Sequence, residues 1–369
     1  MLCGLMVNAQ AVDSIGDSDN WKGRGVEVTY LGGRILKHSD KFTAPIPPMS
    51  AALDVNLIWQ TYGRREWHQR RNYPVLGLGA TFTDYGYTNI FGYCMSLYPN
   101  VQLTIIRHKN FEWTFRIGDG IAYVTRKYQL APTLDTINTA ISTNVNDYAI
   151  FMTDIRYHVN KHFDVQAGAN FTHISNGLFS EPNLGINMYG LHMGVRYYPV
   201  SSRPTPIVRD LPKLSNRWLA QFRAGIAFNQ SRSPGNPELP VYLGSVYASK
   251  RWMGMNKMFF GTDFSFHEPN YQALRCWQIY QGKEWDQSWY GAFFAGNEFL
   301  VGRLGLMLQV GVYYHQIYLK QDPVYEKLGG NLYLVRRDHG FMKELFVTAL
   351  LKTHRMTAEL IEFGMGAGF

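Results

Sequence analysis

Residues 163–198 constrain the fold more than any other stretch, because they alternate at period 2 on both sides of a turn. Phe163, Val165, Ala167, Ala169, Phe171, His173 and Ser175 fall on one face of a strand. Asp164, Gln166, Gly168, Asn170 and Thr172 fall on the other, since successive side chains of a strand point to opposite faces. An apolar outside over a polar inside is the pattern of a transmembrane β-barrel. His173 and Ser175 end the apolar row, so they point towards lipid and not into the lumen. The next strand repeats the arrangement. Asn187, Tyr189, Leu191, Met193, Val195 and Tyr197 share a face, and Asn187 opens it.

A His, a Ser and an Asn at adjacent ends of two antiparallel strands suit nucleophilic acyl transfer. A serine hydroxyl attacks well only when a neighbouring base takes its proton. Residues i and i+2 on one strand face lie about 7 Å apart at Cα, so the side chains of His173 and Ser175 can meet. Asn187 is placed to orient the imidazole, a role that an amide oxygen can fill. The Asn176-Gly177 turn offers backbone N–H groups beside the nucleophile as an oxyanion hole. Asn183 is a further candidate there, and reads equally well as a turn residue. A lone His-x-Ser pair carries no weight, since a barrel-rim histidine bonded to a neighbour accounts for it. The lipid-facing position, where polar residues are expensive, and the matching position of Asn187 favour catalysis.

The motif His173-x-Ser175-Asn176, then Pro182-Asn183-x-Gly185, then a polar residue at 187, resembles lipid A 3-O-deacylases of the PagL type, within the acyloxyacyl hydrolases. That resemblance implies an outer-membrane esterase that removes an ester-linked acyl chain from lipopolysaccharide with a Ser-His-Glu triad. Here Asn187 stands where those enzymes have Glu. The segment His173-x-Ser-Asn-Gly177 with Asn187 is also similar to outer-membrane phospholipase A, which uses calcium held partly by an Arg and a Ser after the Gly. Leu178 and Asn183 occupy those places in this chain. Pro182-Asn183-Leu184-Gly185 favours the deacylase. Tyr73-Pro-Val-Leu-Gly77, Gly118-Asp-Gly-Ile-Ala-Tyr123 and Lys352-Thr-His354 with Glu362-Phe-Gly364 extend the resemblance, which is specific only at 173–187. The deacylase needs no cofactor; calcium enters only with the phospholipase alternative.

Composition agrees with a barrel. Aromatics make up 15% of the 369 residues, as the girdles of an outer-membrane barrel require. Mean hydropathy is −0.22, and no apolar run reaches the length of a membrane helix. The formal charge is +8, yet Lys and Arg are scattered and no nucleic-acid motif occurs. Phosphorylated lipopolysaccharide is therefore the expected anionic partner, with outer-membrane lipids around it. Cys3, Cys94 and Cys276 form no disulfide framework, and no metal-ligand spacing of Cys and His is present.

In chain order, residues 1–11 read as the remnant of a secretory signal ending Ala9-Gln-Ala11. Residues 12–369 read as a single barrel domain of about fourteen strands, with twelve to sixteen admissible. The links at 107–110 and 159–161 are short, as periplasmic turns are; those at 37–50, 126–144, 268–286 and 318–340 are long, as extracellular loops are. His173 and Ser175 then lie at the extracellular end, where lipopolysaccharide resides. The Pro-rich link 200–216 is long for a periplasmic turn. The C-terminal alternation ending at Phe369 resembles the targeting signal of outer-membrane barrels of Gram-negative bacteria. Asp119, between two glycines, reads as a turn or lumen carboxylate. His267-Glu268 reads as a loop, and Arg64-Arg65 with Arg70-Arg71 as a solvated turn or lumen cluster. The expected function is a lipid A esterase with Ser175, His173 and Asn187 as catalytic residues and Asn176, Gly177 and Asn183 as oxyanion donors. The alternatives are the calcium-dependent phospholipase, a non-catalytic porin-like barrel and a soluble β-sandwich.

Overall fold

A computed structural model describes residues 22–37, 39, 41–130, 136–199, 204–230, 236–252, 255–316, 322–354 and 357–369. The leader expected at 1–11, including Cys3, lies outside these residues. Among them, sixteen antiparallel strands close into two eight-stranded barrels. No helix there is long and apolar enough to cross a membrane.

The first barrel comprises β1 (Arg24–Ile35), β2 (Ser50–Gln60), β3 (Val75–Asp84), β4 (Tyr93–His108), β5 (Phe111–Val124), β6 (Val145–His158), β7 (Phe163–Ser175) and β8 (Ile186–Tyr197). A short helix, α1 (Glu66–Arg70), sits in the β2–β3 turn. The ring closes where β8 meets β1, with Val26 opposite Tyr197. The second barrel comprises β9 (Trp218–Gln230), β10 (Glu238–Trp252), β11 (Asn256–His267), β12 (Trp289–Val301), β13 (Leu304–His315), β14 (Val324–Arg336), β15 (Glu344–His354) and β16 (Thr357–Gly368). Helix α2 (Glu268–Cys276) follows β11. This ring closes where β16 meets β9, with Phe363 opposite Ile226.

The structure corrects the single barrel expected over 12–369. Period-2 patterning reports which face of a strand is apolar and is silent on which strands close a ring. Closure is decided inside. An eight-stranded barrel is just wide enough for its side chains to fill it. In the first barrel Arg116 pairs with Asp54 at 3.0 Å and also with Glu27, whose second partner is Arg196 at 2.9 Å. His192 meets Asp154 at 2.7 Å. Arg116 on β5 thus reaches β1 and β2 on the far side of the ring, which only a narrow lumen allows, whereas Glu27 and Arg196 are neighbours across the closing seam. The second barrel has its own network, with Lys327 at 2.9 Å from Asp263 and 2.8 Å from Glu362, and Lys257 at 2.7 Å from Glu344. The Pro-rich link at 200–216 leads from one ring to the next.

The expected count of about fourteen is corrected to sixteen, at the edge of the range. One strand not anticipated is β14, inside 318–340, which was expected to be a long loop. Gly329-Gly330 looks like a turn in the sequence. In the structure both glycines pair in the ladder, with Leu350 and Ala349. Inward Tyr325, Lys327, Asn331 and Tyr333 are buried, while outward Leu328, Leu332 and Leu334 are exposed.

Outward residues form the lipid-facing band, among them Leu191, Met193 and Ile121, each more than half exposed as an isolated chain. Aromatic pairs mark the short-turn end of the first barrel: Phe111 with Tyr157 at 4.9 Å and Phe163 with Tyr197 at 5.1 Å. Rings of this kind sit at membrane interfaces. The long loops lie at the opposite end, where β7 finishes and β8 begins.

Candidate active site

The site is built by register. β7 and β8 pair so that His173 lies directly across from Asn187, and Ser175 is the last residue of β7. His173 Nδ1 is 2.6 Å from Asn187 Oδ1, and His173 Nε2 is 2.9 Å from Ser175 Oγ. An amide oxygen only accepts, so Nδ1 carries the proton and donates it. Nε2 is then left with its lone pair facing the serine hydroxyl, which donates to it. The three side chains form one relay in the order the sequence suggested.

The surroundings hold that relay in place. Ser175 and Asn187 are buried, and His173 is half-buried. The Leu36 N–H donates to the Asn187 carbonyl at 2.8 Å, tying the start of β8 to the end of β1. Gly185 has φ +73 and donates its N–H to Ala140 O at 2.9 Å. A Cβ at Gly185 would lie 2.9 Å from His173 Cε1. The sequence suggests a turn glycine, and its conformation agrees; its second role is to leave room for the imidazole. Only the packing reveals that.

Asn176, Gly177 and Asn183 belong to the segment Asn176–Leu184, which groups with the second compact unit. The Asn176 N–H donates to Asn183 Oδ1 at 3.0 Å, and Asn176 Nδ2 donates to Ser180 O at 2.9 Å. Asn183 Nδ2 is buried without a hydrogen-bond partner. Gly177 has φ +62, and a Cβ there would come 2.2 Å from Ile361 Cγ1. The Glu181 N–H donates to Gln230 Oε1 at 2.7 Å.

One carboxylate falls differently from expectation, and a second was not singled out in the sequence. Asp119 is neither in a turn nor in the lumen: it lies within β5 on the outward face and is exposed. Asp147 pairs directly across from Ser175 on β6. It interrupts the outward row Val145, Ala149, Phe151, which marks it as a polar residue on the lipid face but does not show that it stands beside Ser175. His267 ends β11 and Glu268 begins α2, away from any loop midpoint. Arg64, Arg65, Arg70 and Arg71 flank α1 in the β2–β3 turn, as a turn cluster and not a lumen one.

Residues 52–196, most of the first barrel, match the family described as lipid A 3-O-deacylase (PagL). Residues 216–369, the whole second barrel, match the acyloxyacyl hydrolase C-terminal domain. The chain belongs to the lipid A 3-O-deacylase family. Membership places this acyloxyacyl hydrolase in the Gram-negative outer membrane, with lipid A of lipopolysaccharide as substrate and removal of an ester-linked acyl chain as its reaction. No protein of curated function matches the chain. Among solved structures, Neisserial surface protein A is 12% identical with a TM-score of 0.33, covering 48% of this chain and 97% of its own. The outer membrane enzyme PagL is 13% identical with a TM-score of 0.31, covering 46% and 97%. The β domain of the Bordetella autotransporter BrkA is 8% identical with a TM-score of 0.25, covering 94% and 99%.

Proposed function

We propose that this lipid A deacylase is a serine carboxylic ester hydrolase whose catalytic residues are Ser175, His173 and Asn187. The observation that carries the reading is the continuous relay from Asn187 Oδ1 through the imidazole to Ser175 Oγ, with contacts of 2.6 and 2.9 Å. As Ser175 Oγ attacks the ester carbonyl carbon, His173 Nε2 takes its proton. Collapse of the tetrahedral intermediate breaks the bond to the sugar oxygen, and the imidazolium returns that proton to the leaving oxygen. Water, deprotonated by His173, then cleaves the acyl-serine and frees the fatty acid. Three side chains complete this cycle, so it calls for no metal or cofactor. Asn187 fixes the tautomer but brings no negative charge to balance the imidazolium.

The oxyanion charge falls to donors of the loop that follows Ser175 in the chain. Gly177 and Asn183 remain candidates for that role. The Asn176 N–H is engaged by Asn183 Oδ1, whereas the Asn183 amide nitrogen has a proton to give.

The test is mass spectrometry of lipid A incubated with the purified protein in detergent. Ser175→Ala is the control, and phospholipid with calcium or chelator runs alongside. Loss of one acyl chain from lipid A only with Ser175 intact is expected. Calcium-dependent fatty-acid release from phospholipid alone would replace the deacylase with the phospholipase. Lipid A deacylation that survives Ser175→Ala would remove the serine mechanism.

A further inference from the structure

The net charge is +8, and the placing of the bases in the second barrel points to a second ligand. At the short-turn end of the first barrel, Arg64, Arg65, Arg70 and Arg71 stand against Glu66 in the β2–β3 turn. Arg107 and Lys109 mark the β4–β5 turn, and Lys161 the β6–β7 turn. The long-loop end of the first barrel is basic as well, with Lys37, Lys41, Arg126 and Lys127, so the asymmetry belongs to the second barrel. Arg217 precedes β9, Lys250 and Arg251 end β10, Arg303 occupies the β12–β13 turn, and Arg336, Arg337 and Lys343 border the β14–β15 turn. The long-loop end of the second barrel carries acids as well as bases, with Glu268, Glu284 and Asp286 beside Arg275 and Lys283. Lipid A lies on the long-loop side, so it does not account for the basic rim.

In the second barrel this rim contains a cleft. It is lined by Arg217, Arg251, Arg337 and Lys343 with the hydroxyl residues Ser215 and Ser249. Two acids also line it, and both are already engaged. Glu344 is held by Lys257 at 2.7 Å and accepts from Gln221 at 2.6 Å, and Asp338 lies 3.4 Å from Arg251. Arg217, Arg337 and Lys343 make no ion pair among the described residues. Arg336, across the ladder from Glu344, keeps a buried Nη1 without a hydrogen-bond partner. The cleft therefore carries a surplus of donors and positive charge, with hydroxyls between them, which suits a phosphate oxyanion.

Its depth in the membrane says which phosphate. Trp218 and Trp252 flank the rim on the outward face, 51% and 40% exposed, and Lys250 Nζ lies 5.4 Å from the Trp218 ring. Tryptophans of this kind settle at headgroup level. Short turns of outer-membrane barrels are periplasmic, so the rim beside these tryptophans lies in the headgroup layer of the inner leaflet. We propose that this cleft binds the phosphate headgroup of an anionic phospholipid in the inner leaflet of the outer membrane.

Native mass spectrometry of the purified full chain, loaded from micelles containing equal phosphatidylglycerol and phosphatidylcholine, tests this. The wild type should retain phosphatidylglycerol preferentially. R217Q/R337Q/K343Q should lose that preference by on the order of fivefold per cation removed, while R64Q/R65Q on the first barrel should keep it. Heat-modifiable migration in gels confirms that each variant holds closed barrels. Equal retention of both lipids by the wild type would overturn the proposal, as would unchanged preference in the triple variant or loss in R64Q/R65Q. So would a preference abolished by millimolar inorganic phosphate at constant ionic strength, which would assign the cleft to free phosphate.

Discussion

His173 and Asn187 face each other as a register pair across β7 and β8, with Nδ1 of the imidazole 2.6 Å from the amide Oδ1. A one-residue slip of either strand would send one of the two to the lumen face and dissolve the site. The same β7–β8 ladder that builds the barrel wall therefore sets the tautomer of His173.

In the proposed mechanism Ser175 and His173 act as one unit. Ser175→Ala or His173→Ala should each slow lipid A deacylation about 10⁴-fold or more, and the double variant should be no slower than either alone. Release of hydroxy fatty acid, followed by mass spectrometry, measures this. A double variant far slower than both singles would mean that the two side chains work independently.

Asn187 orients without supplying charge, so Asn187→Ala should cost less than Ser175→Ala, on the order of 10- to 100-fold. Asn187→Asp makes a sharper prediction. A carboxylate beside Nδ1 balances the positive charge that the ring acquires in the proposed transition state, so kcat in this variant should be no lower than in the wild type. A fall of about 10-fold or more in a folded variant would mean that position 187 does not act through the imidazole.

Gly185→Ala places a Cβ 2.9 Å from His173 Cε1 at a residue with φ +73. Displacing the imidazole should lower kcat about 100-fold while the barrel still forms, as read from heat-modifiable migration. Full activity in a folded variant would show that the ring has more room than the contact implies.

Arg116 lies buried among Asp54 and Glu27 in the lumen of the first barrel. Arg116→Met leaves both carboxylates without that partner and should destabilise the barrel by about 3–5 kcal/mol, measured from urea unfolding in lipid vesicles. Loss of less than about 1 kcal/mol would mean that water fills the lumen and screens the network.

Leu191 is 73% exposed at the middle of β8. If that face meets hydrocarbon, Leu191→Arg should cost about 2–4 kcal/mol in the same assay. An unchanged unfolding midpoint would be at odds with a lipid-facing β8.

The site was legible in the sequence because it is local. His173, Ser175 and Asn187 lie within one hairpin, and strand alternation places all three on one face before any tertiary contact is known. Asp147 and Gly185 were harder to see. Their relation to Ser175 and His173 depends on the pairing with β6 and on the path of the chain into β8, neither of which leaves a periodic trace. The strand β14 was hidden for another reason: Gly329-Gly330 carries a turn composition, and only the neighbouring strands supply the ladder bonds that keep it extended.

By itself the sequence determined the antiparallel β class, the outward apolar face and the Ser-His-Asn constellation, since each follows from side-chain alternation over a few residues. Only the tertiary structure decided that sixteen strands form two rings and not one, and that the basic residues of the second barrel gather at its short-turn rim. The physical reason is that closure depends on which strand edges exchange hydrogen bonds and on whether charges such as Arg116, Glu27 and Asp54 can meet across a lumen. Those partners are far apart in the chain, and alternation at period 2 is the same whichever ring they close.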